Sequence, residues 1–291
     1  MIISASRRTD IPAFYAPWLV NRLRAGFCEV KNPFNAAQIS RVSLVPEDVT
    51  AIVFWTRDPR PLLPALPEIL AMGHQPFFLQ TILDNPRAMD PRCPRPEAAI
   101  PALAALAERL PGRVTWRYDP VVLTEATPPD WHRRTFERLA AVLEGRTDRV
   151  MVSVMEPYRK IAKRMAALSD VGCGLMPCEP ETVVRLMGDM RDMAAARGMR
   201  LSTCAQPALY EEAGIAAGRC IDPDWIAAVT GRVVPTGRDA CQRERCGCAP
   251  SKDIGAYDTC LFGCAYCYAT SHGERARAAY ARHDPEATSL A

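Results

Sequence analysis

Short apolar or β-branched runs alternate with longer amphipathic stretches along most of the chain, and the strand comes first in each pair. That order is the signature of repeated βα units, in which crossover helices return the chain to a parallel sheet. The expected strands are Ile2–Ser6, Cys28–Lys31, Ala51–Trp55, Phe77–Thr81, Val114–Tyr118, Val150–Val154 and Leu201–Cys204. The expected helices are Pro12–Ala25, Arg60–Met72, Pro96–Leu110, Pro129–Glu144, Tyr158–Leu168, Pro180–Arg197 and Pro223–Thr230. Several open on a proline, whose missing N–H costs nothing in a first turn. The pattern predicts an α/β fold, a complete or partial TIM-type (βα) barrel.

With 291 residues and 48% hydrophobic composition, the chain can bury one large core. A barrel over residues 1–235 is expected, with a cysteine-rich segment, 236–291, packed on its mouth and a polar, frayed tail after Arg275. No internal repeat or long linker interrupts it.

Polar residues fall where the predicted strands end. Ser6, Arg7, Arg8, Thr9 and Asp10 close the first strand, Asn32 and Asn35 the second, and Arg57 with Asp58 the third. Thr81 and Asp84 follow the fourth, Arg117 and Asp119 the fifth, Ser153 and Glu156 the sixth. In βα barrels the C-terminal rim of the strands carries the site, so these residues are expected to converge. Any one Asp or Asn before a proline is ordinary turn chemistry. The set, with its Arg57/Asp58 and Arg117/Asp119 pairs, exceeds what capping needs. Arg7, Arg8, Asp10, Arg57, Arg117 and Asp119 are therefore the candidate catalytic residues.

The net charge of +3 is small and its arginines are interspersed with acids, a composition that calls for no nucleic acid. Two arginines precede an apolar stretch near the N-terminus, but Pro12 and Pro17 interrupt it and no small-residue cleavage site follows. No run reaches the roughly 18 apolar residues of a membrane helix. A cytoplasmic protein with reduced thiols is the expectation.

Twelve cysteines exceed a cytosolic background, and reduced thiols ligate metal. Cys260, Cys264 and Cys267 follow the pattern Cys-x3-Cys-x2-Cys, with Tyr266 before the last. A four-iron, four-sulfur cluster needs four ligands, so three thiolates on one loop leave one iron open. Cys241, Cys246 and Cys248 lie in a charged stretch without apolar periodicity, so they read as ligands. Cys204 ends the last predicted strand and Cys220 follows a Gly-Arg turn, so both can reach the same rim. Cys204, Cys220, Cys246 and Cys248 are expected to close a second site, holding either another iron–sulfur cluster or zinc, with Cys241 a bystander or substitute. Cys28, Cys93, Cys173 and Cys178 are isolated, as buried or incidental thiols usually are. The four histidines fall on predicted helices, loops or the tail, which disfavours a hydrolytic triad.

The segment Cys260–Cys267 resembles the cysteine loop of the radical S-adenosylmethionine (radical SAM) enzymes. The opening residues Ile3–Tyr15 together with Cys246–Ala269 resemble an uncharacterised bacterial family known only as a domain of unknown function. That second resemblance also favours Cys204, Cys220, Cys246 and Cys248 over Cys241. Unlike most radical SAM enzymes, this chain carries the loop after its strands, with 24 residues following Cys267. The arrangement is similar to the pyrimidine synthase of thiamin biosynthesis, whose cluster cysteines are also C-terminal. A Gly-Gly-Glu segment like that of the superfamily is missing, which leaves Arg7, Arg8 and Asp10 as candidates for the cofactor's carboxylate and ammonium. What the resemblance implies is an iron–sulfur enzyme that cleaves S-adenosylmethionine for an unknown small-molecule substrate, fed by an electron donor such as flavodoxin or ferredoxin. An electron-transfer protein and a zinc-stabilised binding module are the alternatives.

Overall fold

The computed structural model describes residues 1–156, 158–177, 179–206, 211–239 and 242–291. The chain begins with β1 (Ile2–Ser4), α1 (Ile11–Phe14), α2 (Ala16–Ala25), β2 (Phe27–Asn32) and β3 (Asn35–Ser43). It continues through β4 (Ala51–Thr56), α3 (Leu66–Ala71), β5 (Pro76–Thr81), α4 (Pro96–Arg109), β6 (Val114–Val121) and α5 (Pro129–Leu143). Then come β7 (Arg149–Val154), α6 (Ala162–Ala166), α7 (Pro180–Ala195), β8 (Arg200–Cys204) and β9 (Ala216–Gly218). The last described elements are α8 (Pro223–Thr230), β10 (Ser251–Asp253) and α9 (Gly273–Ala281).

Eight strands form one parallel sheet in the order β10-β1-β4-β5-β6-β7-β8-β9, which is TIM-barrel-like in its sequence of βα units. Among the described residues no pairing joins β10 to β9, so a closed barrel is not seen. Every residue of β4 and β5 is buried, as expected of parallel strands covered on both faces. Ile52, Phe54, Phe78 and Trp116 pack toward the helices, with Leu103, Phe136 and Met187. Their neighbours Val53, Trp55, Phe77 and Leu79 point the other way, onto Trp225, Ile226 and the cysteine-bearing segment. The alternation of strand side chains thus makes two cores, one on each face.

The proline signals hold at residue level: α4, α5, α7 and α8 each begin on a proline. The second predicted strand is a correction. Cys28–Lys31 does form a strand, but β2 pairs antiparallel with β3 in a separate hairpin. Asn32 and Asn35 therefore stand at a hairpin turn away from the rim. The physical reason is local: Asn32-Pro33-Phe34-Asn35 turns the chain at once and no crossover helix intervenes.

The C-terminal segment enters the sheet itself. β10 pairs with β1, setting Ile3 opposite Lys252, and Gly255 packs so close to Ser6 that a side chain would collide with it. The tail is not frayed. Trp18 Nε1 donates to the carbonyl of Ala287 at 2.9 Å, Glu29 N donates to that of Thr288 at 2.8 Å, and Leu290 is buried. No described helix is long and apolar enough to cross a membrane.

Candidate functional site

Because the sheet is parallel, all of its strands end on the same side. There a cavity of ≈ 490 Å³ opens, lined by Ser6 to Asp10 after β1, by Thr56 and Arg57 at the end of β4, and by Thr81. Arg117 and Asp119 of β6 and Ser153 of β7 complete the strand-end lining. Both cysteine sets, Cys204/Cys220/Cys246/Cys248 and Cys260/Cys264/Cys267, face the same cavity. All six candidate catalytic residues reach it, but they do not have equal freedom there.

Asp10 is the N-cap of α1. It accepts from Ala13 N at 3.0 Å, from Thr56 Oγ1 at 2.8 Å and from Arg57 N at 2.6 Å. Burial pushes its carboxyl up to about 7 against those three donors. Arg8 is occupied: Nε donates to Asp253 Oδ1 at 3.0 Å and Nη2 to the Asp253 carbonyl at 2.8 Å. Arg7 lies over the Trp55 ring, and its charge acts on Cys248 and Cys220. Arg117 is paired with Asp119, which also accepts from Ser153 Oγ. Arg7 Nη2 and Arg117 Nε are buried and find no hydrogen-bond partner among the described residues. Arg7 is nevertheless engaged, with Nη1 donating to Ser251 Oγ at 3.2 Å and the Cys248 sulfur beside its guanidinium, so Arg117 Nε is the clearer unmet donor at the cavity wall.

The loop of Cys260–Cys267 is held from three sides. Gly263 takes a positive φ of 74°, and a side chain there would strike Arg92. Arg164 on α6 donates to the carbonyls of Cys267 and Thr270. Tyr266 is buried against Asp90, Asn85 and Arg57, so this aromatic residue anchors the loop to the segment after β5. Burial raises the thiols of Cys260 and Cys267, aided by the charge of Cys267 on the first and of Cys264 on the second. Cys264 is raised first by its bond to Cys93 and then by burial. Any metal binding here must displace protons.

Cys93 was not legible as part of this group. Its Sγ lies 3.4 Å from that of Cys264, and Asp90, Cys93 and Cys264 bring one ligand atom each within 4.8 Å of one another. The only sequence signal is a Cys three residues after an Asp in a proline-rich turn, too weak to separate from a packing thiol.

The second set converges from three chain segments. Cys204 ends β8, Cys220 follows β9, and Cys246 with Cys248 lies on the segment before β10. The sulfurs of Cys220 and Cys204 are 3.9 Å apart, and the Cys248 sulfur accepts from Ile221 N at 3.4 Å. The Cys248 thiol is held below the ordinary range because Cys204, Cys220 and Cys246 donate to it and Arg7 faces it. Several cysteines therefore cluster and could bind metal. Cys241 and Cys178 lie outside the described residues; Cys28 is buried in the main core, and Cys173 packs in the same buried cluster as Cys93 and Cys264.

Asp58 and Asp84 turn outward, to Arg60 and to Arg95 with Arg138. His74 and His132 are buried, and neither lines the cavity. His132 bridges Tyr118 and the Val122 carbonyl within the core.

A comparison with curated proteins finds no match. Among solved structures, a crystal structure of D-hydantoinase shares 15% identity at a TM-score of 0.31, over 72% of this chain and 42% of that one. The chain thus spans less than half the length of that protein. The family model described as Domain of unknown function (DUF1848) matches residues 2–269, and the chain belongs to that family.

Proposed function

We propose that the chain is a radical SAM-like iron–sulfur enzyme acting on a small molecule in the cavity at the strand ends. The observation that carries this reading is the position of the Cys260/Cys264/Cys267 loop, which lines the same cavity as Arg7, Asp10, Arg117 and Asp119. An all-thiol donor set suits an iron–sulfur centre, and three thiolates on the loop leave one coordination position for a small ligand. When bound, a four-iron cluster would supply the electron that cleaves S-adenosylmethionine, drawn from a flavodoxin- or ferredoxin-type donor.

The chain's own residues bind and orient. Arg117, through its unpartnered Nε, and Arg7 beside it would donate to a carboxylate or another anionic group at the wall. Asp10 and Asp119 offer acceptors to an ammonium or hydroxyl. Arg57 holds the loop rather than the ligand, since its guanidinium is spent on Asp90 and Tyr266. Phe262, Trp55 and Tyr268 supply the apolar wall that limits water. From the C-terminal segment, Arg243, Cys246, Cys248, Cys260, Cys267 and Ala269 line this cavity.

One observation favours a second reading. Cys93 beside Cys264 offers a fourth thiolate, and a cluster closed by four thiolates transfers electrons without opening a position to substrate. A cubane carries each thiolate on a different iron, so Cys93 would have to swing away from Cys264 to serve.

Anaerobic reconstitution with iron and sulfide, then reductant and S-adenosylmethionine, tests both. The proposal expects deoxyadenosine and methionine, a changed electron paramagnetic spectrum on adding the cofactor, and full iron retention in Cys93→Ala. No deoxyadenosine and an unchanged spectrum would overturn it. Loss of the cluster in Cys93→Ala would establish the electron-transfer reading.

A further inference from the structure

We infer that Cys204, Cys220, Cys246 and Cys248 form a closed mononuclear zinc site, physically separate from the loop at Cys260–Cys267 and independent of the chemistry proposed for it. One sulfur pair in this set stands at the spacing a single ion would impose. A tetrahedral zinc with Zn–S bonds of about 2.3 Å holds its sulfurs about 3.8 Å apart. Cys204 and Cys220 already stand at 3.9 Å, on segments separated by the residues between β8 and β9. Ligands of a four-iron cubane sit on different irons and so stand farther apart than the edge of one ion's tetrahedron.

The donors are complete in number. Four sulfurs fill four positions, which leaves no place for water and marks a structural centre. The backbone N–H of Ile221 points at Cys248 Sγ, the kind of outer contact that fixes a ligating thiolate. Arg7 and Arg117 stand at the cavity side of the sulfurs, where cations offset the net negative charge that four thiolates confer on a divalent ion. Trp55, Trp225 and Ala249 pack in the same buried cluster as Cys220, Cys246 and Cys248, so apolar side chains back the sulfurs. The ion would clip the β8–β9 edge of the sheet to the segment that continues into β10.

The test is zinc, iron and sulfide analysis of the full chain and of a variant with Cys260, Cys264 and Cys267 all changed to Ala. About one zinc per chain, no sulfide and no iron are expected in that triple variant, and Cys246→Ala should lower zinc at least tenfold. Zinc-edge X-ray absorption on the intact protein needs no variant; it should show four sulfurs at about 2.3 Å and no iron neighbour. Iron with sulfide persisting in the triple variant, a zinc shell containing nitrogen or oxygen, or no bound metal at all would each overturn the site. A failed deoxyadenosine assay with zinc retained would sink the loop chemistry alone.

Discussion

Tyr266 donates its hydroxyl to both carboxylate oxygens of Asp90, at 2.7 and 2.8 Å. The same carboxylate takes Arg57 Nη1 at 3.3 Å and Asn85 Nδ2 at 3.0 Å. The aromatic residue before the last cysteine of the loop thus acts as a tether, tying the loop to the chain after β5 through a buried ion pair. Asp90→Ala leaves the Arg57 charge buried without its partner and should cost roughly 3–5 kcal/mol. Tyr266→Phe removes one donor and should cost about 1 kcal/mol. Urea unfolding of the two variants checks the order; equal effects would mean that the charge pair is not what anchors the loop.

The two cysteine sets should separate by stability. If the four-thiol set ties β8 and β9 to the C-terminal segment, Cys246→Ala or Cys220→Ala removes folding free energy that metal binding contributes. A fall in Tm on the order of 10 °C is expected, at about 2–4 °C per kcal/mol for chains of this class. Cys264→Ala touches a loop over the cavity, so it should lower Tm by far less while removing the iron proposed for that loop. Matching losses from Cys264→Ala and Cys246→Ala would indicate one shared centre.

His132 provides a pH test away from the cavity. Its Nε2 faces the Val122 carbonyl at 3.1 Å and its Nδ1 faces the Tyr118 hydroxyl at 2.8 Å, a pairing that suits the neutral ring with its proton on Nε2. Burial pushes the ring down to about 4. Since the folded value lies below the ordinary value of about 6.5, this stability is present above pH 6.5 and is lost as pH falls toward 4, on the order of 3 kcal/mol in all. His132→Phe should flatten that part of the stability profile. A wild-type profile already flat between pH 6.5 and 4 would show that the ring is not held neutral.

The docked tail predicts a cost for truncation. Removing residues 285–291 takes away the acceptor of Trp18 Nε1 and the buried Leu290. The loss should be roughly 2–4 kcal/mol, from an orphaned indole donor and exposed apolar surface. Thermal unfolding of the shortened chain measures it, and an unchanged Tm would show that the tail contributes nothing.

What the sequence determined by itself was whatever short-range chemistry encodes. Proline at a first turn set where α4, α5, α7 and α8 begin, and continuous apolar runs set β4 and β5, because a parallel strand is buried on both faces. The rim residues were readable because strand ends are local features and a parallel sheet gathers them on one side. Spacing alone singled out Cys260, Cys264 and Cys267. Long-range packing took β2 out of the sheet into a hairpin and put three-residue β10 at the edge beside β1. A strand that short carries no period, and its partner is about 250 residues away. The same holds for Cys93 and Asp90, which meet the loop across 171 and 176 residues. Nothing local marks such a thiol, since its role exists only once the chain after β5 and the cysteine loop are packed together.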